Sequence, residues 1–263
     1  KCSHKRRKKQ DPCLSVNIDE GVWTCHNCGW QGSAKKKVIR EEYIRPKWIN
    51  TTKLSDKAVK YFNDRGITQK TLIRNKITEG EEYMPQLSRK SNTIQFNYFR
   101  DGELVNVKYR DAKKNFKLVK GAEKILYGLD DIVDSHEIII VEGEIDKLSF
   151  EEAGYTNCVS VPNGASNMKM EYLDSCQDYL NKAKKVYIAV DNDEPGIKLE
   201  KELSRRIGRD KCLRVTYPDD CKDANDVLVK HSLIKLDVCL KNAASYPLEG
   251  IVEINSIYSD IDR

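Results

Sequence analysis

The chain has 263 residues, 39% of them hydrophobic and 33% charged, and carries a net charge of +5. No stretch approaches the roughly 18 to 20 consecutive apolar residues of a membrane span. The basic, polar start from Lys1 to Lys9 lacks the apolar region of a secretory signal, and its few serines make a poor transit peptide. With no apolar span and no secretory signal expected, a reducing, cytoplasmic setting is expected.

Residues 1–33 form the first compositional block, rich in Cys, Gly and Lys and too short to hold a core without a staple. Cys25-His26-Asn27-Cys28-Gly29-Trp30 reads as a zinc knuckle, because two thiolates and a glycine let the backbone curl round one ion. A structural Zn2+ takes four ligands. Cys2 would belong to a first knuckle whose other cysteine stands two places before Lys1, so the sequence is expected to begin just inside that knuckle. His4 or Cys13 is the alternative fourth ligand. Trp23, Trp30 and His26, beside Lys5 to Lys9, supply stacking and charge suited to single-stranded nucleic acid. The first 47 residues hold twelve Lys/Arg against five Asp/Glu, so a polyanionic partner belongs to this end. A plain solvated charge run is the competing account.

Residues 34–50 read as a charged linker, and a globular pattern begins at Thr51. Ser55 is placed to cap a helix whose buried face is Ala58, Val59, Tyr61 and Phe62, with Gly66 stopping it. Thr93–Phe99 and Leu104–Tyr109 alternate around Asp101-Gly102, a hairpin signal. From about residue 131 strands and helices alternate. The expected strands are Glu137–Val141, Cys158–Val161, Val186–Val190 and Leu213–Tyr217, and the helices between them Ile145–Ala153, Met170–Asn181 and Ile197–Ile207. This rhythm predicts an α/β parallel sheet covered by helices on both faces.

Acidic residues cluster after three of these strands. Glu142, Glu144 and Asp146 follow the first, Asp191, Asp193 and Glu194 the third, and Lys222-Asp223-Ala224-Asn225-Asp226 the fourth. Ligands of open α/β sheets collect at the carboxyl ends of strands, so the clusters should converge on one crevice. Carboxylates so crowded need divalent cations, and hard oxygen donors select Mg2+ or Mn2+, the ions of phosphoryl and nucleotidyl transfer. Any one cluster alone would more simply be a helix cap.

These residues resemble the signature of TOPRIM proteins, a Glu-Gly after the first strand and an Asp-x-Asp after the third. "VEGEIDKLSFEEAG", "VPNGAS", "DNDEPG" and "CKDAND" are similar, in order and spacing, to motifs of phage-type primase–helicases and their relative Twinkle. "CLSVN", "GVWTCHNCGW" and "YRDAKKNFKL" extend the resemblance over nearly the whole chain. The resemblance implies a zinc ribbon (1–33), a linker (34–50), an α+β N-terminal subdomain with a basic strip (51–130), a TOPRIM domain (131–235) and a segment (236–263) leading to a helicase. No Walker loop occurs in the chain, so it is expected to be a fragment that does not itself unwind DNA.

The activity implied is synthesis of short RNA primers on single-stranded DNA from ribonucleoside triphosphates, beside a replicative helicase domain or subunit. For a phage-encoded chain the compartment would be the host cytoplasm. By the same resemblance Glu142 would help to deprotonate the primer 3′-hydroxyl, with Asp146 in support. Asp191 and Asp193 would hold two Mg2+ or Mn2+ ions, with Glu142 and Asp223 completing the set. Lys108, Arg110, Lys113, Lys114, Lys117 and Lys120 would track template and nucleotide, joined by Asp223 and Asn225, while the ribbon's His26, Trp23 and Trp30 would read the start site. Two alternatives stand beside this. One is a DNA-gripping accessory of a Twinkle-like helicase, and the other is a TOPRIM nuclease that uses water as nucleophile.

Overall fold

In the structure, a computed structural model, residues 7–8, 10, 12–33, 50–164 and 170–247 are described. The chain divides into two units, Lys1–Trp48 and Ile49–Arg263. In the first, β1 (Leu14–Asn17), β2 (Val22–Cys25) and β3 (Gln31–Ser33) form an antiparallel sheet in that order. Its aliphatic side chains do not bury one another: Leu14, Val16, Ile18 and Val22 are exposed, whereas Cys25 is buried. A sheet of this size with no apolar core among the described residues needs a covalent or metal staple, as its composition predicts. At Gly32 a Cβ would fall 2.2 Å from the Trp23 ring, so glycine is what lets β3 close on that indole.

The second unit opens with α1 (Asp56–Asn63) and α2 (Gln69–Arg74). Ser55 caps α1 by accepting the Ala58 N–H, and Ala58, Val59 and Phe62 are buried as the periodicity requires, whereas Tyr61 is only half-buried. Next come β4 (Thr78–Met84), β5 (Arg89–Arg100), β6 (Glu103–Asp111) and β7 (Phe116–Leu118), an antiparallel sheet in chain order. Asp101 and Gly102 join β5 to β6 with φ of 52° and 78°, the left-handed pair that a two-residue hairpin demands. Their N–H groups both donate to the Asp130 carboxylate, which satisfies the turn.

The remaining elements are β8 (Glu137–Val141), α3 (Glu144–Glu152), β9 (Cys158–Ser160), α4 (Glu171–Ser175), α5 (Gln177–Lys182), β10 (Lys185–Ala189), α6 (Glu194–Ile207), β11 (Cys212–Arg214), α7 (Ala224–Lys230), α8 (Leu233–Lys241) and β12 (Ala244–Ser245). The sheet order is β12-β11-β10-β8-β9, parallel except for β12. On β8, Ile138 and Ile140 pack into one hydrophobic cluster and Ile139 and Val141 into another, all fully buried. Both sheet faces are therefore covered, which explains an unbroken aliphatic strand. The chain leaves β8 for β9 on one side and then crosses to β10 on the other. The topological switch point thus lies at the carboxyl ends of β8 and β10, where Val141 pairs with Ala189.

Three expectations are corrected. The helix expected over 170–181 is two, α4 and α5, parted at Cys176, whose φ and ψ of −114° and 8° are not helical. A boundary at 235/236 falls inside α8, whose Leu236, Cys239 and Leu240 are buried, and β12 beyond it completes the sheet. A division at 130/131 crosses one hydrophobic core, since Phe62, Leu72, Phe96 and Tyr98 share a cluster with Ile138, Leu148 and Val186. The segments 34–49 and 248–263, read as a linker and as the approach to a helicase, lie outside the described residues. Among the described residues no helix is long and apolar enough to cross a membrane.

Candidate active site

The acidic residues stand where the switch point opens. Glu142 follows β8 directly, Gly143 caps α3, and Asp146 occupies its first turn. A Cβ at Gly143 would come within 2.8 Å of Asp146 Oδ2, so the glycine makes room for a carboxylate folded back toward the strand end. After β10, Asp193 caps α6 by accepting the Gly196 N–H (2.9 Å), and after β11, Asp223 caps α7 by accepting the Asp226 N–H (2.7 Å). The helix-cap reading of these residues is therefore also true. Capping directs their backbones, while Asp223 still lines a cavity with Asp146 and the Asp193 carboxylate meets Lys222.

A cavity of about 620 Å³ gathers Glu142, Asp146 and Asp191 with Lys108, Lys117 and Lys222. A second cavity of about 340 Å³ shares Asp146 and continues past Arg110, Lys114, Asp223 and Asn225. Burial, reinforced by the charges of Asp223 and Asp191, pushes the Asp146 carboxyl well above the usual range. Burial also raises Asp191 and Asp223. At Asp193 burial pushes upward, but the Gly196 N–H and Lys222 outweigh it and hold the carboxyl low. The crevice therefore holds more negative charge than its burial tolerates.

Lys222 answers part of that excess. Its Nζ lies 2.9 Å from Asp191 Oδ2 and 3.1 Å from Asp193 Oδ2, contacts that raise its own pKa. The ammonium stands where hard oxygen donors would hold a divalent cation. The donor chemistry fits Mg2+ or Mn2+, provided that Lys222, a half-exposed and flexible side chain, withdraws.

The basic strip is divided by the pleat of β6. Lys108 and Arg110, two residues apart, share its buried face, so they are not the exposed phosphate contacts expected of a groove. Lys108 Nζ contacts Glu144 at 2.7 and 3.0 Å, and the Tyr98 hydroxyl donates to the same carboxylate at 2.6 Å. Arg110 lies over the Tyr61 ring, 4.7 Å from its centroid. Lys117 pairs with Glu82 at 2.6 Å, while Lys113, Lys114 and Lys120 are exposed. Asn225 is turned inward: its amide donates to the Arg65 carbonyl and the Ser149 hydroxyl, and its N–H to Asp146 Oδ1. It brackets α3 and α7 rather than presenting its amide N–H groups to a nucleotide.

In the ribbon, Cys13 Sγ lies 3.3 Å from Cys25 Sγ, and the Cys13 carbonyl accepts the His26 N–H. That separation is well beyond a disulfide's ~2.05 Å, and the two sulfurs would have to spread by about half an ångström to share one tetrahedral Zn2+ at about 2.3 Å each. The Asn27 and Cys28 N–H groups, then Cys13, lower the Cys25 thiol to about 6, toward the thiolate a metal takes. Cys13 thus stands beside Cys25 of the Cys25–Cys28 pair, while Cys2 and His4 lie outside the described residues. His26 Nε2 is 2.7 Å from the Ser15 hydroxyl, and the Trp23 and Trp30 rings lie 5.6 Å apart at 52°.

Residues 139–228 match the Toprim-like family. The primase homolog protein of Arabidopsis thaliana is 39% identical over 256 residues, which cover 87% of this chain and 74% of that protein. The chain belongs to the Twinkle-like primase family. The chloroplastic/mitochondrial Twinkle homolog of the same plant is 37% identical over 95% of the chain, but the match covers only 38% of that protein's own length. The primase fragment of the bacteriophage T7 primase-helicase shares the fold with a TM-score of 0.59 at 22% identity, over 88% of this chain and 94% of that one. The zinc-binding and RNA polymerase domains of the Aquifex aeolicus primase do so with 0.59 at 16% identity, over 90% and 77%.

Within this crevice, sequence reasoning passed over Gly196. A Cβ there would fall 2.1 Å from the Asp191 carbonyl oxygen, a backbone atom that cannot step aside without carrying Asp191 with it. Gly196→Ala is therefore expected to lower any activity of the site by roughly 100-fold, the cost of an ångström-scale misplacement. Product formation at saturating nucleotide, compared with wild type at equal folded fraction, checks this.

Proposed function

We propose that this chain is a DNA primase that joins ribonucleotides on a single-stranded DNA template. The observation that carries the reading is the convergence of Glu142, Asp146 and Asp191 with Lys108 and Lys222 on one cavity at the switch point. Glu142 accepts the proton of the attacking 3′-hydroxyl, and Asp146 maintains the negative field around it. Asp191, Asp193 and Asp223, with Glu142, hold Mg2+ or Mn2+, which when bound neutralises charge on the incoming triphosphate and its departing pyrophosphate. Lys222, released from the two aspartates, turns to the triphosphate. Lys108 and Arg110, held by Glu144 and Tyr61, fix the positive wall of the cavity, and the exposed Lys113, Lys114 and Lys120 track the template backbone. The ribbon, closed on Zn2+ by Cys13, Cys25, Cys28 and a further ligand, offers Trp23, Trp30 and His26 to the start site. A helicase is the partner expected from the T7 primase-helicase and the Twinkle homolog. A relative named for chloroplast and mitochondrion favours an organellar replication compartment over a host cytoplasm.

The accessory reading draws on the same Lys222 contacts, since an ammonium that stayed between Asp191 and Asp193 would leave a DNA-binding module without synthesis. The deciding assay supplies mixed-sequence single-stranded DNA, all four labelled ribonucleoside triphosphates and Mg2+ or Mn2+. Template-dependent short RNA supports the primase. Cleaved DNA would transfer the site to nuclease chemistry, and bound but unaltered DNA would favour the accessory.

A further inference from the structure

Behind the acidic crevice lies a second group of donors of a different chemical kind. Asp220, Cys221 and His231 each place a donor atom within 4.8 Å of the other two, the one such trio of acidic, Cys or His side chains among the described residues. His231 Nε2 is 3.0 Å from Asp220 Oδ2 and 3.1 Å from Oδ1, and Cys221 Sγ is 3.6 Å from Asp220 Oδ1. The thiol is buried, whereas the Asp220 and His231 side chains are 59% and 34% exposed. An ion could therefore arrive from solvent and reach a sulfur sheltered from it.

We infer that Asp220, Cys221 and His231 bind one transition-metal dication of the zinc class, separate from both the ribbon and the acidic crevice. One thiolate and one carboxylate balance the charge of a dication, and a neutral imidazole completes three ligands, leaving the fourth tetrahedral position to water. The soft sulfur and the imidazole select Zn2+ or Co2+ and disfavour Mg2+. On binding, the Cys221 proton passes to solvent as the metal–sulfur bond forms; the proton that His231 Nε2 donates to Asp220 also leaves for solvent, Nδ1 carrying the neutral ring's one proton, so that Nε2 and the carboxylate each bond the metal.

The position gives this ion a structural consequence. Asp220 and Cys221 immediately precede Lys222 and Asp223, and Asp223 caps the start of α7 while His231 closes its end. The ion would clip the loop bearing Lys222 to the far end of that helix. The ties now are weaker: the His231–Asp220 contact, the donation of Lys230 Nζ to the Asp220 carbonyl, and the Lys222 N–H to Asp226, which also takes Lys230. Occupancy would thereby hold the backbone from which Lys222 reaches Asp191 and Asp193.

Metal-depleted whole chain titrated with Co2+ alone tests this, read by the visible d–d bands, the thiolate charge-transfer band and total bound metal. Because the ribbon is intact in every variant, differences report the new site. Wild type is expected to bind about one equivalent more than His231→Ala, Asp220→Asn or Cys221→Ser, with excess Mg2+ failing to displace it. Cys221 alkylation should slow when Co2+ is present in wild type but not in His231→Ala. Equal stoichiometry in wild type and the two exposed-residue variants overturns the inference, whatever Cys221→Ser does to folding. None of these readouts requires primer synthesis, so failure of the primase reading would leave them standing.

Discussion

Asp191→Asn is expected to reduce primer synthesis by at least about 1,000-fold, equivalent to roughly 4 kcal/mol of transition-state stabilisation, while single-stranded DNA binding persists. The carboxamide keeps the shape of Asp191 but has lost the charge that would hold a cation at the end of β10. It also leaves Lys222 with Asp193 as its one carboxylate partner of the present two. The same change should not weaken the fold. Burial and the neighbouring Asp223 and Asp193 charges oppose ionisation of Asp191, with Lys222 the counterweight, so removing the charge relieves repulsion among Asp146, Asp191 and Asp223. Thermal unfolding without divalent ions should show a midpoint equal to or above that of wild type. Loss of synthesis beside retained stability and DNA binding would mark a chemical role. Synthesis within a few-fold of wild type would move the reaction away from this crevice.

The parts of this site that sequence could show are those governed by local pattern. The aliphatic run 137–141 announced a strand buried on both faces, Asp101-Gly102 announced the hairpin, and acids after strands followed from how parallel sheets present loops. What stayed hidden depends on contacts between distant segments. Lys108 and Arg110 look like groove cations in a lysine-rich stretch, and their burial follows from Glu144, 36 residues after Lys108, and from the Tyr61 ring. Lys222 reads as one letter of "CKDAND", and its reach to Asp191 comes only from the adjacency of β10 and β11. The break at Cys176 carries no glycine or proline, so periodicity ran straight through it. The alternation of β6 did hold one usable signal, because residues 106, 108 and 110 must share a face with one another.

Glu151→Ala is expected to destabilise the larger unit by about 3–5 kcal/mol, the usual cost of removing one partner from a buried ion pair. Glu151 Oε2 receives Lys147 at 2.7 Å, Arg74 at 2.8 Å and the Asn75 amide at 2.9 Å. Asp131 takes Lys147 and Arg74 at 2.8 Å each, and Lys147 Nζ also donates to Asn75 Oδ1. Lys147 is fully buried, so without Glu151 its charge would rest on Asp131 alone, in competition with Arg74. For a unit of this size each kcal/mol moves the melting midpoint by about 2–4 °C, which predicts a fall of roughly 10 °C. Lys147→Met should cost less, because it removes the buried charge, fills the space and leaves Arg74 to both carboxylates. The network ties α2 to α3, the helix that also carries Glu144 and Asp146, yet it touches neither cavity wall directly. Primer synthesis by Glu151→Ala should therefore approach wild type well below its lowered midpoint and fail only as the fold does. Synthesis lost at low temperature, with the unit still folded, would instead make the network a positioning device for Asp146.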